Sequence, residues 1–196
     1  MTAQSARIGT LDEIRSFVRG TGKRVLTFVG YSGAGYEDHE AMLNHAGEIL
    51  ARFDPATTLV NIGATEMGIG AVYALARERG FATMGIVSIL AEKEHVPLSP
   101  CVDTVFYVAD TTWGGRLPDT SALSPTSEAM VAVSDVMVGM GGGDAARDEL
   151  QAAQAAGKQV EFIPADMNHQ VATTKAAKNG SPEPKEFRGS AHAALT

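Results

Sequence analysis

Residues 25–36, VLTFVGYSGAGY, contain the feature that decides the fold: a compact β-rich run that ends in a glycine turn. A strand that is apolar on both faces is typical of a central parallel strand covered by helices on either side. Residues 38–53 then place apolar side chains at an approximate i, i+3, i+4, i+7 spacing, which indicates a helix. A strand–turn–helix unit therefore starts at residue 25.

The same unit repeats along the chain. Further strands are predicted at 58–62, 82–89, 104–108, 136–138 and 160–163. Further helices are predicted at 11–19 after a Thr10–Glu13 capping box, at 70–79, at 128–133 with a start at Ser124-Pro125, and at 145–156. Strands separated by helical segments imply crossover connections. The pattern predicts an α/β fold, a Rossmann-like three-layer sandwich with a central, mostly parallel sheet.

Length and composition limit the organisation and the partners. The 196 residues suffice for one sizeable core, so residues 1–170 are interpreted as a single Rossmann-like domain. Residues 171–196 are interpreted as a polar C-terminal tail, extended or partly disordered. A formal net charge of −7 argues against nonspecific binding to nucleic acid, which requires an excess of Lys and Arg.

The remaining composition suggests a cytoplasmic protein. One cysteine, Cys101, cannot form an intrachain disulfide, and no apolar stretch is long enough to cross a membrane or resembles a signal peptide. The five histidines show no ligand spacing with Cys or carboxylates, so no metal site is expected. The helix-rich flanks make a homo-oligomer, most simply a homodimer, a reasonable expectation.

Three glycine-containing turns follow predicted strands. Their candidate ligand-binding residues are Gly30, Ser32 and Gly33 in the first, Gly63, Met67 and Gly68 in the second, and Gly141, Gly142 and Gly143 in the third. A single turn of this kind can need its glycines for backbone geometry alone. Three turns at equivalent strand ends converge on one crevice, where backbone N–H groups and helix N-termini can hold phosphate. None of them has the Walker or dinucleotide-binding spacing.

The order of these turns resembles the SLOG superfamily, which includes LONELY GUY nucleotide phosphoribohydrolases, DNA-processing protein A and molybdenum-cofactor carriers. The family's P-G-G-x-G-T-x-x-E landmark corresponds to 141–149, GGGDAARDE, with Gly141, Ala145 and Ala146 in place of Pro, the last Gly and Thr. The resemblance covers about residues 23–164. It implies a nucleotide-binding domain in which Glu149 faces the crevice and contacts ribose or steadies an oxocarbenium-like transition state.

The chain lacks the Arg-Lys pair with which the family's phosphoribohydrolases grip their substrate. The corresponding helix reads Thr126-Ser127-Glu128-Ala129-Met130 and contains no base. Arg116, which follows Trp113-Gly114-Gly115, or Arg147 could supply the missing cation. Asp144 would either repel a phosphate at the helix start or cap that helix.

The candidate catalytic residues are Glu149, Arg116 and Glu128, and each has a second interpretation. Glu149 and Glu128 would form a carboxylate pair for acid–base work, or would be ordinary exposed helix residues. Arg116, beside Trp113, would contact phosphate or only pack in its loop.

The functional hypotheses remain open at this stage. The first is a SLOG-type protein that binds a nucleotide or another phosphorylated small molecule and hydrolyses the N-glycosidic bond of a nucleoside 5′-monophosphate. The second is a non-catalytic nucleotide sensor or cofactor carrier, and the third, disfavoured by the charge, is a DNA-processing protein. No cofactor is required by any pattern in the sequence.

Overall fold

The computed structural model describes residues 4–196, which form one sheet of seven strands with every neighbouring pair parallel. The strands are β1 Ser5–Ile8, β2 Arg24–Gly30, β3 Thr58–Ile62, β4 Ala82–Ser88, β5 Thr104–Val108, β6 Val136–Met140 and β7 Gln159–Ile163, in the spatial order β1-β5-β4-β3-β2-β6-β7. The α/β fold class is confirmed, with six strands predicted from sequence. The edge strand β1 was missed because its four residues are all exposed and carry no apolar run.

Helices cover both faces of the sheet. They are α1 Leu11–Thr21, α2 His39–Leu50, α3 Val72–Glu78, α4 Leu90–Lys93, α5 Pro125–Val133, α6 Asp144–Ala155, α7 His169–Lys178 and α8 Ser190–Leu195, and a 3-10 turn at Gly68–Ala71 precedes α3. The buried residues of α2 and α3 join one apolar cluster, whereas those of α1, α5 and α6 join a second cluster on the opposite face. These two clusters are the interfaces of a three-layer sandwich. No helix among residues 4–196 has the length and apolarity needed to cross a bilayer.

Local sequence signals explain several helix starts. The Thr10 hydroxyl accepts from the Glu13 N–H at 3.3 Å while the Glu13 carboxylate accepts from the Thr10 N–H at 2.7 Å, which is the predicted capping box. At α5, Ser124 is the N-cap and Pro125 occupies the first turn.

The C-terminal residues differ from the prediction. Within residues 171–196, residues 171–178 belong to α7 and residues 190–195 form α8, so the segment is partly helical. Ala191 is fully buried, and Leu195 packs against the apolar cluster beneath α6. The polar composition was misleading because a short helix needs only a few apolar contacts to pack against an existing surface.

The strand order reverses at β2, which pairs with β3 on one side and β6 on the other. Gly30 at the end of β2 pairs with Met140 at the end of β6, so the loops after these two strands start at the same level. Parallel sheets bind ligands in the crevice outside such a switch point. The fold therefore brings the first and third glycine turns together.

Candidate functional site

A cleft of about 140 Å³ lies at the carboxyl ends of β2, β3 and β4, on the side covered by α5 and α6. We call it the main cleft. Its wall is mostly apolar, with hydroxyl groups and one carboxylate. The lining residues are Phe28, Val29, Gly30, Ser32, Ile62, Gly63, Thr65, Ile69, Ile86, Val87, Ser88, Trp113, Thr126, Met130, Ala145, Ala146 and Glu149.

The first turn of α6 opens on the main cleft. Its N-cap is Gly143, so no side chain caps the helix, and Ala145 and Ala146 line the cleft. The first N–H groups of a helix lack intrahelical acceptors and carry a partial positive charge. Asp144 does not cap the helix; its carboxylate accepts from Arg147 Nη1 at 2.9 Å and from the Ser190 hydroxyl at 2.7 Å. The end of α6 is thus left free for an anion.

Gly142 brings the third turn close to the first. Its φ of +122° is a left-handed conformation, and a Cβ atom there would lie 2.5 Å from the Ala146 Cβ and 3.5 Å from the Gly30 Cα. Any side chain at this position would therefore be strained and would collide with the start of α6. The glycine lets the backbone of the loop approach both β2 and the helix.

Glu149 is the one carboxylate among the residues that line the main cleft, and it is 6% exposed. The Ser127 hydroxyl donates to Glu149 Oε1 at 2.6 Å and accepts from the Gly115 N–H at 2.7 Å. Burial raises the pKa of Glu149 to about 7; the hydrogen bond from Ser127 opposes that rise, and the charge of Asp148 adds to it. Glu149 can therefore gain or lose a proton near neutral pH.

Asp148, next to Glu149, fixes the loop beside the cleft. This carboxylate is 4% exposed and accepts from the Arg116 N–H at 2.9 Å and from Arg147 Nε at 3.0 Å. The Arg116 side chain donates to the Ser121 carbonyl, and its Nε lies 3.9 Å from Asp148 Oδ1. Neither arginine is among the residues that line the main cleft.

Trp113 borders the opening of the cleft with about half of its side chain exposed. A second buried acid, Asp110, holds the same loop. It accepts from the Thr126 N–H at 2.9 Å and from the Thr112 N–H at 2.8 Å. Burial alone would raise the pKa of Asp110, but the hydrogen bonds from Thr126 and Thr112 outweigh it and hold that pKa below its usual value.

The structure separates the sequence candidates into groups. Gly30, Ser32, Gly63 and Glu149 line the main cleft, and Gly142 and Gly143 lie directly behind its wall at the start of α6.

Arg116 and five other candidates stand apart from the wall of the main cleft. Gly33 and Met67 are in open loops, and Glu128 is exposed on α5. Gly68 has a φ of +61° and packs against the carbonyls of Tyr31 and Ser32, joining the first two turns. Gly141 packs against the ring of Tyr31. We infer that the last two glycines serve the backbone geometry.

Sequence reasoning missed Ser127, Asp148 and Asp110 as positioning residues. A signal was present for Asp110, because it follows β5 at the same sheet edge as the glycine turns. Ser127 and Asp148 gave no such signal, since their role depends on the loop that folds over α5 and α6.

No family model matches the sequence, and no curated protein matches it either. Solved structures do resemble the fold. The molybdenum cofactor binding protein of Rippkaea orientalis superposes with a TM-score of 0.53 at 18% identity, covering 81% of this chain and 85% of that one. The Moco carrier protein of Chlamydomonas reinhardtii superposes with a TM-score of 0.50 at 19% identity, with the same coverage.

A third similar structure is DNA processing protein A of Streptococcus pneumoniae. It superposes with a TM-score of 0.50 at 9% identity and covers 89% of this chain but 62% of its own. Two groups named in the sequence-based resemblance, molybdenum-cofactor carriers and DNA-processing protein A, are therefore among the structural neighbours. These structures show that the chain shares their fold.

Proposed function

We propose that the main cleft binds a phosphorylated small molecule, such as a nucleotide, with its phosphate at the N-terminus of α6. The observation that carries this proposal is the uncapped first turn of α6, which opens on the cleft beside Gly30 and Ser32. A phosphate there would accept from backbone N–H groups without a cationic side chain. The remainder of the ligand would lie against the apolar wall, with Trp113 available for stacking.

The position and the pKa of Glu149 favour catalysis. Glu149 lies in the cleft with its pKa raised to about 7, which suits N-glycosidic hydrolysis of a nucleoside 5′-monophosphate. In that reaction the bond between C1′ and the base breaks, Glu149 gives its proton to the leaving base, and water adds at C1′. The proton released by the water then returns to the Glu149 carboxylate.

The lack of cationic side chains among the lining residues of the main cleft favours a sensor or carrier over a hydrolase. None of the residues lining the main cleft, all of which lie in the described part of the chain, is Lys, Arg or His. The Rippkaea structure is a molybdenum cofactor binding protein and the Chlamydomonas structure is a Moco carrier protein, so the molybdenum cofactor is a ligand to test.

A paired assay distinguishes these outcomes. Purified protein is titrated with nucleoside 5′-monophosphates and, separately, with the parent nucleosides, and release of free base is followed by chromatography. Saturable binding that requires the phosphate supports the proposal. Base release that is lost in Glu149→Gln but retained in Glu128→Gln supports the hydrolase, and binding without turnover supports the carrier. Equal affinity for nucleoside and nucleotide would argue against phosphate recognition.

A further inference from the structure

A second cavity, of about 280 Å³, lies at the carboxyl ends of β6 and β7, on the side covered by α2. We call it the acidic cleft. Its floor is apolar and comes from α2, from the end of β6 and from the segment that follows β7. The floor residues are Ala41, Met42, Met140, Ile163, Pro164 and Ala165. The acidic and main clefts share no lining residue, so this inference does not depend on the proposed function.

Carboxylates dominate the rim of the acidic cleft. Glu37, Asp38 and Asp166 lie around the opening with one guanidinium, that of Arg188, and the imidazole of His45 also lines the cleft. Arg188 Nε lies 3.5 Å from Asp166 Oδ1, and its Nη1 is 3.1 Å from His192 Nε2. Asp166 therefore offsets the one formal positive charge on the rim, and within the described residues 4–196 Glu37 and Asp38 have no Lys or Arg partner.

Glu37 and Asp38 each use one oxygen to hold the backbone. Glu37 Oε2 accepts from the His169 N–H at 2.8 Å, and Asp38 Oδ1 caps α2 by accepting from the Ala41 N–H at 2.8 Å. Within residues 4–196, their second oxygens accept no hydrogen bond. The His169 imidazole lies between two of the rim carboxylates, with Nδ1 at 3.8 Å from Glu37 Oε1 and Nε2 at 3.3 Å from Asp166 Oδ2. Two carboxylate oxygens beside an apolar floor thus have free acceptor capacity.

From this we propose that the acidic cleft binds a small organic cation, a protonated amine on an apolar body. The apolar part would cover Met42 and Ile163, while the ammonium group would donate to Glu37 and Asp38. An anionic ligand would meet the carboxylates of Glu37 and Asp38, which have no Lys or Arg partner among residues 4–196. A divalent metal ion would need more oxygen ligands than this apolar floor offers.

Three compounds of similar shape test the charge requirement. Phenethylamine, phenethyl alcohol and phenylpropionate are titrated into the full chain by isothermal calorimetry, and ¹⁵N NMR shifts locate the bound compound. The amine is expected to bind roughly tenfold more tightly than the alcohol, because two partly exposed charge contacts are gained. The carboxylate is expected not to bind. Equal affinity for amine and alcohol, or no saturable binding of the amine, would overturn the proposal.

Matched variants locate the site. Glu37→Gln and Asp38→Asn keep an oxygen acceptor at each backbone contact, and Asn is an adequate N-cap, so both variants should fold. Each is expected to weaken amine binding roughly two- to fivefold. Glu40→Gln removes the same charge from an exposed position of α2 outside the cleft and should leave the affinity unchanged. An equal loss of amine affinity in Glu40→Gln would show that the affinity depends on the net charge of the surface. That result would refute the site.

Discussion

Glu149 links the structure of the main cleft to its chemistry at the scale of a single residue. The carboxyl group is buried against the Ser127 hydroxyl, and its pKa lies near 7 instead of at the usual value of 4.5. A raised carboxyl pKa means that the folded state holds a proton which the unfolded state has already released. The free energy of unfolding should therefore fall as pH rises from about 4.5 through about 7.

Replacing Glu149 by Gln should remove this pH dependence. Gln keeps an oxygen that can accept from Ser127 but does not ionise. The free energy of unfolding of the variant, relative to that of wild type, should therefore rise by up to about 3 kcal/mol between pH 4 and pH 8. Urea unfolding across this pH range measures the difference. Glu128→Gln, at an exposed position on α5, serves as the control and should follow the wild-type curve. A Glu149→Gln curve parallel to wild type would show that Glu149 ionises normally.

Gly142 and Gly143 form a second matched pair at the residue scale. Gly142 has a φ of +122° and no room for a Cβ, whereas Gly143 has a φ of −89° and no atom within 4 Å of an added Cβ. Gly142→Ala should lower the unfolding free energy by about 1–3 kcal/mol. Gly143→Ala, which places a poorer N-cap on α6, should cost about 1 kcal/mol or less. Thermal unfolding compares the two, and equal losses would contradict the described geometry of the turn.

The N-terminus of α6 is the element on which the proposed phosphate binding depends. Ala145→Asp would place a carboxylate among the free N–H groups of the first turn, inside the main cleft. The negative charge of this carboxylate interacts favourably with the helix dipole, so the stability of the protein should be kept or slightly raised. The same carboxylate would compete with a bound phosphate. Binding of a phosphorylated ligand should therefore be lost in calorimetry. Ala155→Asp, exposed in the last turn, is the control and should bind normally; unaltered binding in Ala145→Asp would exclude this helix end as the phosphate site.

The elements also show how far the sequence could predict the fold. Apolar runs predicted β2 through β7 because buried parallel strands carry that pattern on both faces. Edge strand β1 and helix α8 escaped detection because each is stabilised by packing on a surface made elsewhere in the chain. The same limit applies to the main cleft. The glycine turns could be predicted from local sequence and Glu149 from the family resemblance, whereas the Ser127 and Asp148 contacts arise from a loop that folds over two helices.

Helix α8 connects the end of the chain to the glycine turns at the scale of the whole molecule. The Ala191 N–H donates to the Gly142 carbonyl at 3.2 Å, and the Gly189 N–H donates to the Tyr31 hydroxyl at 2.6 Å. A chain ending at residue 186 would lose these contacts and expose the surface that Ala191 and Leu195 cover. We expect about 2 kcal/mol lower stability and faster hydrogen exchange in α6. Unchanged exchange in α6 would mean that α8 adds nothing to the third turn.

The central claim is that the main cleft recognises a phosphate group, and a thermal-shift screen tests it most directly. Nucleotides, sugar phosphates and a molybdopterin-like ligand are compared with their dephosphorylated counterparts, using wild type, Gly142→Asp and the exposed control Gly20→Asp. A ligand at about 100 times its dissociation constant adds roughly 2.7 kcal/mol, a shift of about 5–10 °C for a domain of this size. We predict a shift that requires the phosphate, is lost in Gly142→Asp and persists in Gly20→Asp. No shift with any phosphorylated compound, or an equal shift in Gly142→Asp, would contradict the claim.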